Sequence, residues 1–227
     1  MKIKYLVPNF FTACSLISGV FALKYALGEE YIVAGWLIAV SIICDGMDGK
    51  LARILNASSR FGRYFDTISD FFAFGIVPAT LVYKTVMHQY NLWGIIIVIF
   101  YILCGAFRLT RFMRETSSSQ KKNPFTGLPI PAAAGVTAAL ILFFYYIWAE
   151  ITIPGLFIFI LPVISCLMIS QIRYDAIDKN NFPFNKNIII PGLVMSIILA
   201  YKFHFIIFFI GNLIYLFYGL FKHYRSA

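Results

Sequence analysis

The 227-residue chain is 60% hydrophobic and only 13% charged, with a formal net charge of +9 and a mean hydropathy of +0.80. Soluble domains carry about 25% charged residues, so a chain this apolar cannot cover its own surface with polar groups, and a soluble globular fold is excluded. The basic balance, pI 9.4, calls for anionic lipid headgroups beside it, not for nucleic acid.

The N-terminal stretch MKIKYLVPNFFTACSL starts basic and turns apolar. It has no small-residue cleavage site at the expected place, and its apolar run continues to Leu27. We read a retained membrane helix over 6–27, entered at Pro8, where a missing N–H costs little. Further spans are predicted over 31–49, 65–84, 92–113, 129–149, 152–171, 188–201 and 204–221. A helix needs about 20 apolar residues to cross the hydrocarbon core. The run over 188–201 is short and carries Pro191, and it pairs with the last span as a hairpin turning near 201–204. The runs do not alternate polar and apolar residues, so helices and not barrel strands are expected. The fold class is all-α, a polytopic membrane bundle of about eight spans. Polar linkers over 114–123 and 171–187 separate spans, and Pro124–Gly135 reads as a structured loop. We divide the chain into a membrane core over 1–171, a cytoplasmic linker over 172–187, and a C-terminal hairpin with a basic tail over 188–227.

Charge sets the orientation. With both termini inside, 16 of the 19 Lys and Arg residues fall on the cytoplasmic side, and Lys24, Lys84 and Lys202 are left outside. The positive-inside rule requires this asymmetry. The four cysteines stand singly in apolar runs and have no disulfide or zinc spacing. Tyr5, Trp36, Trp93 and Trp148 suit interfacial belts.

Between the second and third spans lies DGMDGKLARILNASSRFGRYFDTISD, residues 45–70, with four of the chain's ten acidic residues. Asp45 and Asp48 are three apart, and Asp66 and Asp70 are four apart, so each pair shares one helical face. The connection is short, which makes the helices antiparallel neighbours and directs all four carboxylates to one spot near the inner membrane face. Unpaired anions cannot share a low-dielectric site: some become neutral, or a cation balances them. Carboxylate oxygens favour Mg²⁺, Mn²⁺ or Ca²⁺, and two divalent ions roughly 3.5–4 Å apart would balance four aspartates and clamp phosphate oxygens. Gly49 and Ala52 leave room for a ligand or for close helix packing. Arg53 is placed to donate to a phosphate, and Gly62 opens the entry to the next helix.

The spacing Asp45-x-x-Asp48-Gly49-x-x-Ala52-Arg53, eight residues, then Gly62-x-x-x-Asp66-x-x-x-Asp70 resembles the complete signature of the CDP-alcohol phosphotransferases. VPNFFTACSLISG (7–19), DTISDFFAFGIVPA (66–79), GAFRLTRF (105–112) and FTGLPIPAAAG (125–135) are similar to the bacterial phosphatidylserine synthase branch, with Ala73 standing where Ser is expected. The resemblance implies a six-helix membrane core and transfer of a phosphatidyl group from CDP-diacylglycerol to an alcohol, L-serine in this branch, with release of CMP. It implies that Asp45, Asp48, Asp66 and Asp70 hold two divalent ions, Mg²⁺ or Mn²⁺, and that Asp70 is also the base. Asn9, Thr12, Gly49, Arg53 and Ser59 correspond to CDP-lipid contacts. Arg108 and Arg111 are candidates for the serine carboxylate, and Pro129 and Pro131 for shaping the acceptor pocket. The small residues Ala132–Gly135 also suit helix packing. A homodimer in the bacterial inner membrane, with a cytoplasmic site, is the implied setting. Inositol phosphate or glycerol phosphate is the alternative acceptor. An ion-coupled transporter is a further alternative, but it would spread its acidic residues along a path through the spans.

Overall fold

A computed structural model describes residues 6–55, 57, 59–117, 127–172, 208–214 and 216. The described residues form helices and connecting turns, with no strand among them. Helix α1 is Leu6–Leu27 and α2 is Tyr31–Ile54; α3, Arg60–Asp70, runs through a π-helical turn, Phe71–Ile76, into α4, Val77–Thr85. A 3₁₀ turn, Met87–Tyr90, leads to α5, Asn91–Ser117, followed by α6, Ile130–Trp148, and α7, Gly155–Ile169. Residues 208–214 form a further helical segment.

The expected spans over 6–27, 92–113 and 129–149 match α1, α5 and α6 closely. Two others are longer than expected: α2 continues to Ile54, and the third span begins at Arg60. The extensions carry Lys50, Arg53, Arg60 and Arg63, and both aspartate pairs sit on helix, as their spacing predicts. The run over 188–201 lies outside the described residues, as does most of 204–221. Among the described residues, five helices are long and apolar enough to cross a membrane, namely α1, α2, the continuous Arg60–Thr85, α5 with its preceding turn, and α6; α7, at 15 residues, is shorter than the span expected over 152–171. The chain is a multi-pass membrane protein.

Packing relies on small residues, as expected where lipid offers no hydrophobic drive between helices. Helices α1 and α2 form a hairpin through Glu29, at φ 66°. They are joined by the Ser15 and Ser41 hydroxyls, 2.8 Å apart, and by Ser18, which donates to the Leu37 carbonyl at 2.8 Å. A Cβ on Gly35 would stand 2.8 Å from Leu142 Cγ, so the glycine lets α2 lie directly on α6. Helix α6 occupies the centre, with most of Ile130–Phe144 buried.

The π turn has a local cause. Pro78 has no N–H, so it cannot serve the Phe74 carbonyl four residues before it. The buried Tyr101 hydroxyl of α5 donates to that carbonyl at 3.1 Å. Beside it, Gly19 lets α1 approach Ala73: a Cβ there would lie 3.0 Å from the alanine Cβ.

The two ends of the bundle differ. At one, Tyr31 stacks obliquely on Tyr145, with centroids 5.3 Å apart, and its hydroxyl donates to the Lys84 carbonyl at 3.4 Å. At the other lie the four aspartates, Arg53, Arg63, Arg108, Arg111 and the start of α6.

Candidate active site

The carboxylates come from α2 and α3. Leu55 ends α2, the Ala57 amide donates back to the Ala52 carbonyl at 2.9 Å, and Ser59 caps α3 by accepting from the Gly62 amide at 2.9 Å. This tight reversal sets α3 against α1 and brings Asp66 to the Asp45–Asp48 face. One carboxylate oxygen from each of Asp45, Asp48 and Asp66 lies within 4.8 Å of the other two. Asp70 meets Asp45 carboxyl to carboxyl. Asp48 is 6% exposed, and the Thr12 hydroxyl of α1 donates to its Oδ2 at 2.7 Å.

This donor set fits a hard divalent cation. Asp66 Oδ1 is buried and has no hydrogen-bond partner among the described residues. An orphaned buried oxygen is costly, and three converging carboxylates offer the all-oxygen shell that Mg²⁺, Mn²⁺ and Ca²⁺ prefer.

A cavity opens on each side of the cluster. The smaller, 90 Å³, is lined by Asp48 and Asp66 together with Asn9, Thr12, Gly49, Ser59, Gly62 and Arg63, among others. Four of the five expected CDP-lipid contacts therefore share one wall. Arg53 is not among the lining residues: it is exposed, and its Nε donates to the Gly49 carbonyl at 2.9 Å. Arg63, which the sequence reading gave no role, lines the cavity instead. A Cβ on Gly49 would meet nothing within 4 Å, whereas one on Gly62 would stand 2.9 Å from Asn9 Oδ1 and 3.0 Å from Ser59 Oγ. Gly49 keeps space open, and Gly62 lets Asn9 and the capping serine close over the start of α3.

The larger cavity, 490 Å³, opens on Asp45 and Gly46 and is walled by Pro129, Pro131, Phe208 and Asn212, among others. Neither Arg108 nor Arg111 lines it. Arg108 is 3% exposed, with its guanidinium carbon 6.0 Å from the Phe112 ring centroid. Arg111 donates to the Ile169 carbonyl at 2.9 Å and to the Ser170 carbonyl at 3.2 Å, so its fork closes the C-terminal end of α7. Helix ends leave such carbonyls without intrahelical donors, and a cation is favourable there. The loop before α6 is tied to the same end: Gly127 donates to the Ile172 carbonyl at 2.7 Å and Leu128 to the Leu167 carbonyl at 2.9 Å. Gly127 has φ +82°, and a Cβ there would collide with the Arg111 guanidinium and the Met168 carbonyl. Thr12 and Asn212 were not legible as partners of the cluster and its cavity, because each comes from a helix remote in sequence.

Membrane-length helices around a carboxylate cluster that fits divalent cations, with a cavity on either side, define an integral-membrane group-transfer enzyme. The chain belongs to the CDP-alcohol phosphatidyltransferase family, whose model matches residues 5–169. A Helicobacter pylori protein named CDP-diacylglycerol–serine O-phosphatidyltransferase is 34% identical over 219 residues, 96% of this chain and 91% of the relative. A Bacillus subtilis protein of the same name is 32% identical over 77% of this chain and 92% of its own. An archaetidylserine synthase from Methanothermobacter thermautotrophicus is 30% identical over 76% of this chain and 70% of its own.

Proposed function

We propose that the chain transfers the phosphatidyl group of CDP-diacylglycerol to the hydroxyl of L-serine and releases CMP. The observation that carries this reading is one carboxylate cluster flanked by two cavities, which suits a reaction between a lipid diphosphate and a small acceptor. The names of the relatives support serine as that acceptor.

In this reading Asp45, Asp48, Asp66 and Asp70 hold two divalent ions, Mg²⁺ or Mn²⁺. Bound there, the ions supply charge neutralisation to the diphosphate. Thr12 orients Asp48 through its short hydrogen bond. Asn9, Thr12, Gly49 and Ser59 form the donor side, and Arg53, at the rim, turns its terminal nitrogens to a phosphate. Asp70 takes the proton from the serine hydroxyl. The serine oxygen forms a bond to the lipid-side phosphorus, the bond to the CMP oxygen breaks, and CMP leaves with that electron pair. Pro129 and Pro131 shape the acceptor side. Arg108 and Arg111 are the candidates for the serine carboxylate. The family core is assigned to 1–171, the linker to 172–187 and the hairpin to 188–227. The enzyme works as a homodimer in the bacterial inner membrane, with both termini and the site cytoplasmic.

The test is CMP release by purified protein in detergent with CDP-diacylglycerol and Mn²⁺ or Mg²⁺, offering L-serine, inositol phosphate and glycerol phosphate separately. Serine-dependent release that a chelator abolishes is expected. Release only with a phosphorylated acceptor would overturn the choice of serine, and no release with any acceptor would overturn the reaction.

A further inference from the structure

The wall of the acceptor cavity includes a segment outside both the family match and the aspartate signature. Phe208, Gly211 and Asn212 of the C-terminal helical segment face Asp45 and Gly46 across the 490 Å³ space. Asn212 stands in the run FIIFFIGNLI, residues 205–214, where it is the only amide. A polar side chain in so apolar a run is costly to turn toward lipid and points to a polar function for the position. Its amide nitrogen donates to the Phe208 carbonyl at 2.8 Å. Its amide oxygen accepts no hydrogen bond among the described residues and rests against Gly135 of α6, where a Cβ would collide with it. The missing side chain of Gly135 seats the carboxamide at this wall. Apart from Asp45, the other lining residues among those described are apolar or glycine.

We propose that Asn212 is a specificity-determining residue of the acceptor site, its carboxamide oxygen accepting from the ammonium of the incoming amino alcohol. The proposal rests on the serine-transfer reading for the identity of the acceptor. A serine zwitterion needs an acceptor for its ammonium and a donor for its carboxylate. A carboxamide carries both and adds no charge to compete with the carboxylates for cations. A site built to hydrogen-bond a polar group discriminates strongly against compounds lacking it.

The test is CMP release by the full-length protein in detergent with CDP-diacylglycerol and Mn²⁺, varying serine, for the wild type, Asn212→Leu and Gly135→Ala. CDP-diacylglycerol binding is measured in parallel by calorimetry. Asn212→Leu is expected to raise the serine KM about tenfold or more and leave CDP-diacylglycerol affinity unchanged. Gly135→Ala, which pushes the carboxamide away, should shift the serine KM in the same direction. A serine KM within about twofold of the wild type, a factor worth only ~0.4 kcal/mol at 1.4 kcal/mol per tenfold, would overturn the proposal, as would equal loss of lipid binding. Should Asn212→Leu fail to fold, Asn212→Gln, which keeps the amide but moves it by one methylene, must raise the serine KM or the proposal falls. Wild-type protein that ignores serine would overturn the serine reading itself, a result distinct from an unchanged KM in the variants.

Discussion

At the scale of single residues, the four aspartates do unequal work. Asp45, Asp48 and Asp66 converge on one point, while Asp70 lies beside Asp45. Asp70→Asn would remove the proposed base but keep size and shape. Turnover should fall by about 10²–10⁴-fold with CDP-lipid binding intact, checked by CMP release and calorimetry; near-normal turnover would end the assignment. In the proposed metal site, Thr12 supports the ligand Asp48 without being a ligand itself. Loss of a hydrogen bond to a metal ligand typically costs about 10–100-fold in metal affinity, so Thr12→Val should require correspondingly more Mn²⁺ for half-maximal activity. The aspartates were legible because each pair repeats at helical spacing in a charge-poor chain. Thr12 reads as a CDP-lipid contact, but its bond to Asp48 was not legible, because the two are 36 residues apart. Arg111 reads as a candidate carboxylate fork; its contacts with the Ile169 and Ser170 carbonyls were not legible, because backbone groups carry no mark in the sequence.

Among the elements, the predicted spans were legible wherever apolar residues ran uninterrupted. The extensions of α2 and α3 were missed because their residues are polar, and helix there is decided by packing against α1 and by the Ser59 cap. The π turn was equally hidden. Pro78 marks a lost donor, but only the fold reveals Tyr101 as its replacement. Tyr101→Phe leaves the buried Phe74 carbonyl short of a partner and should cost about 1–3 kcal/mol of stability, read as a lower midpoint in thermal unfolding in detergent. An unchanged midpoint would mean that the widened turn satisfies its own carbonyls.

The whole molecule places its chemistry at one end and its aromatic and aliphatic contacts through the rest. If that end is cytoplasmic, cysteines introduced at Glu29 and Glu150, both at turns of the opposite end, should react with an impermeant thiol reagent added outside intact cells. One at Arg60 should react only after the membrane is opened. The reverse pattern would invert the assigned topology. The two cavities also draw on distant parts of the chain, with Thr12 on one wall and Asn212 on the other. This has a consequence in time. Ribosomes add about 5–20 residues per second, so the segment after α7 emerges seconds later than the carboxylate cluster. A nascent chain halted at Ile169 has all four aspartates of the cluster but lacks a wall of the larger cavity. In the proposed site, completion of the helical segment over 208–214 is then the step that walls the acceptor cavity.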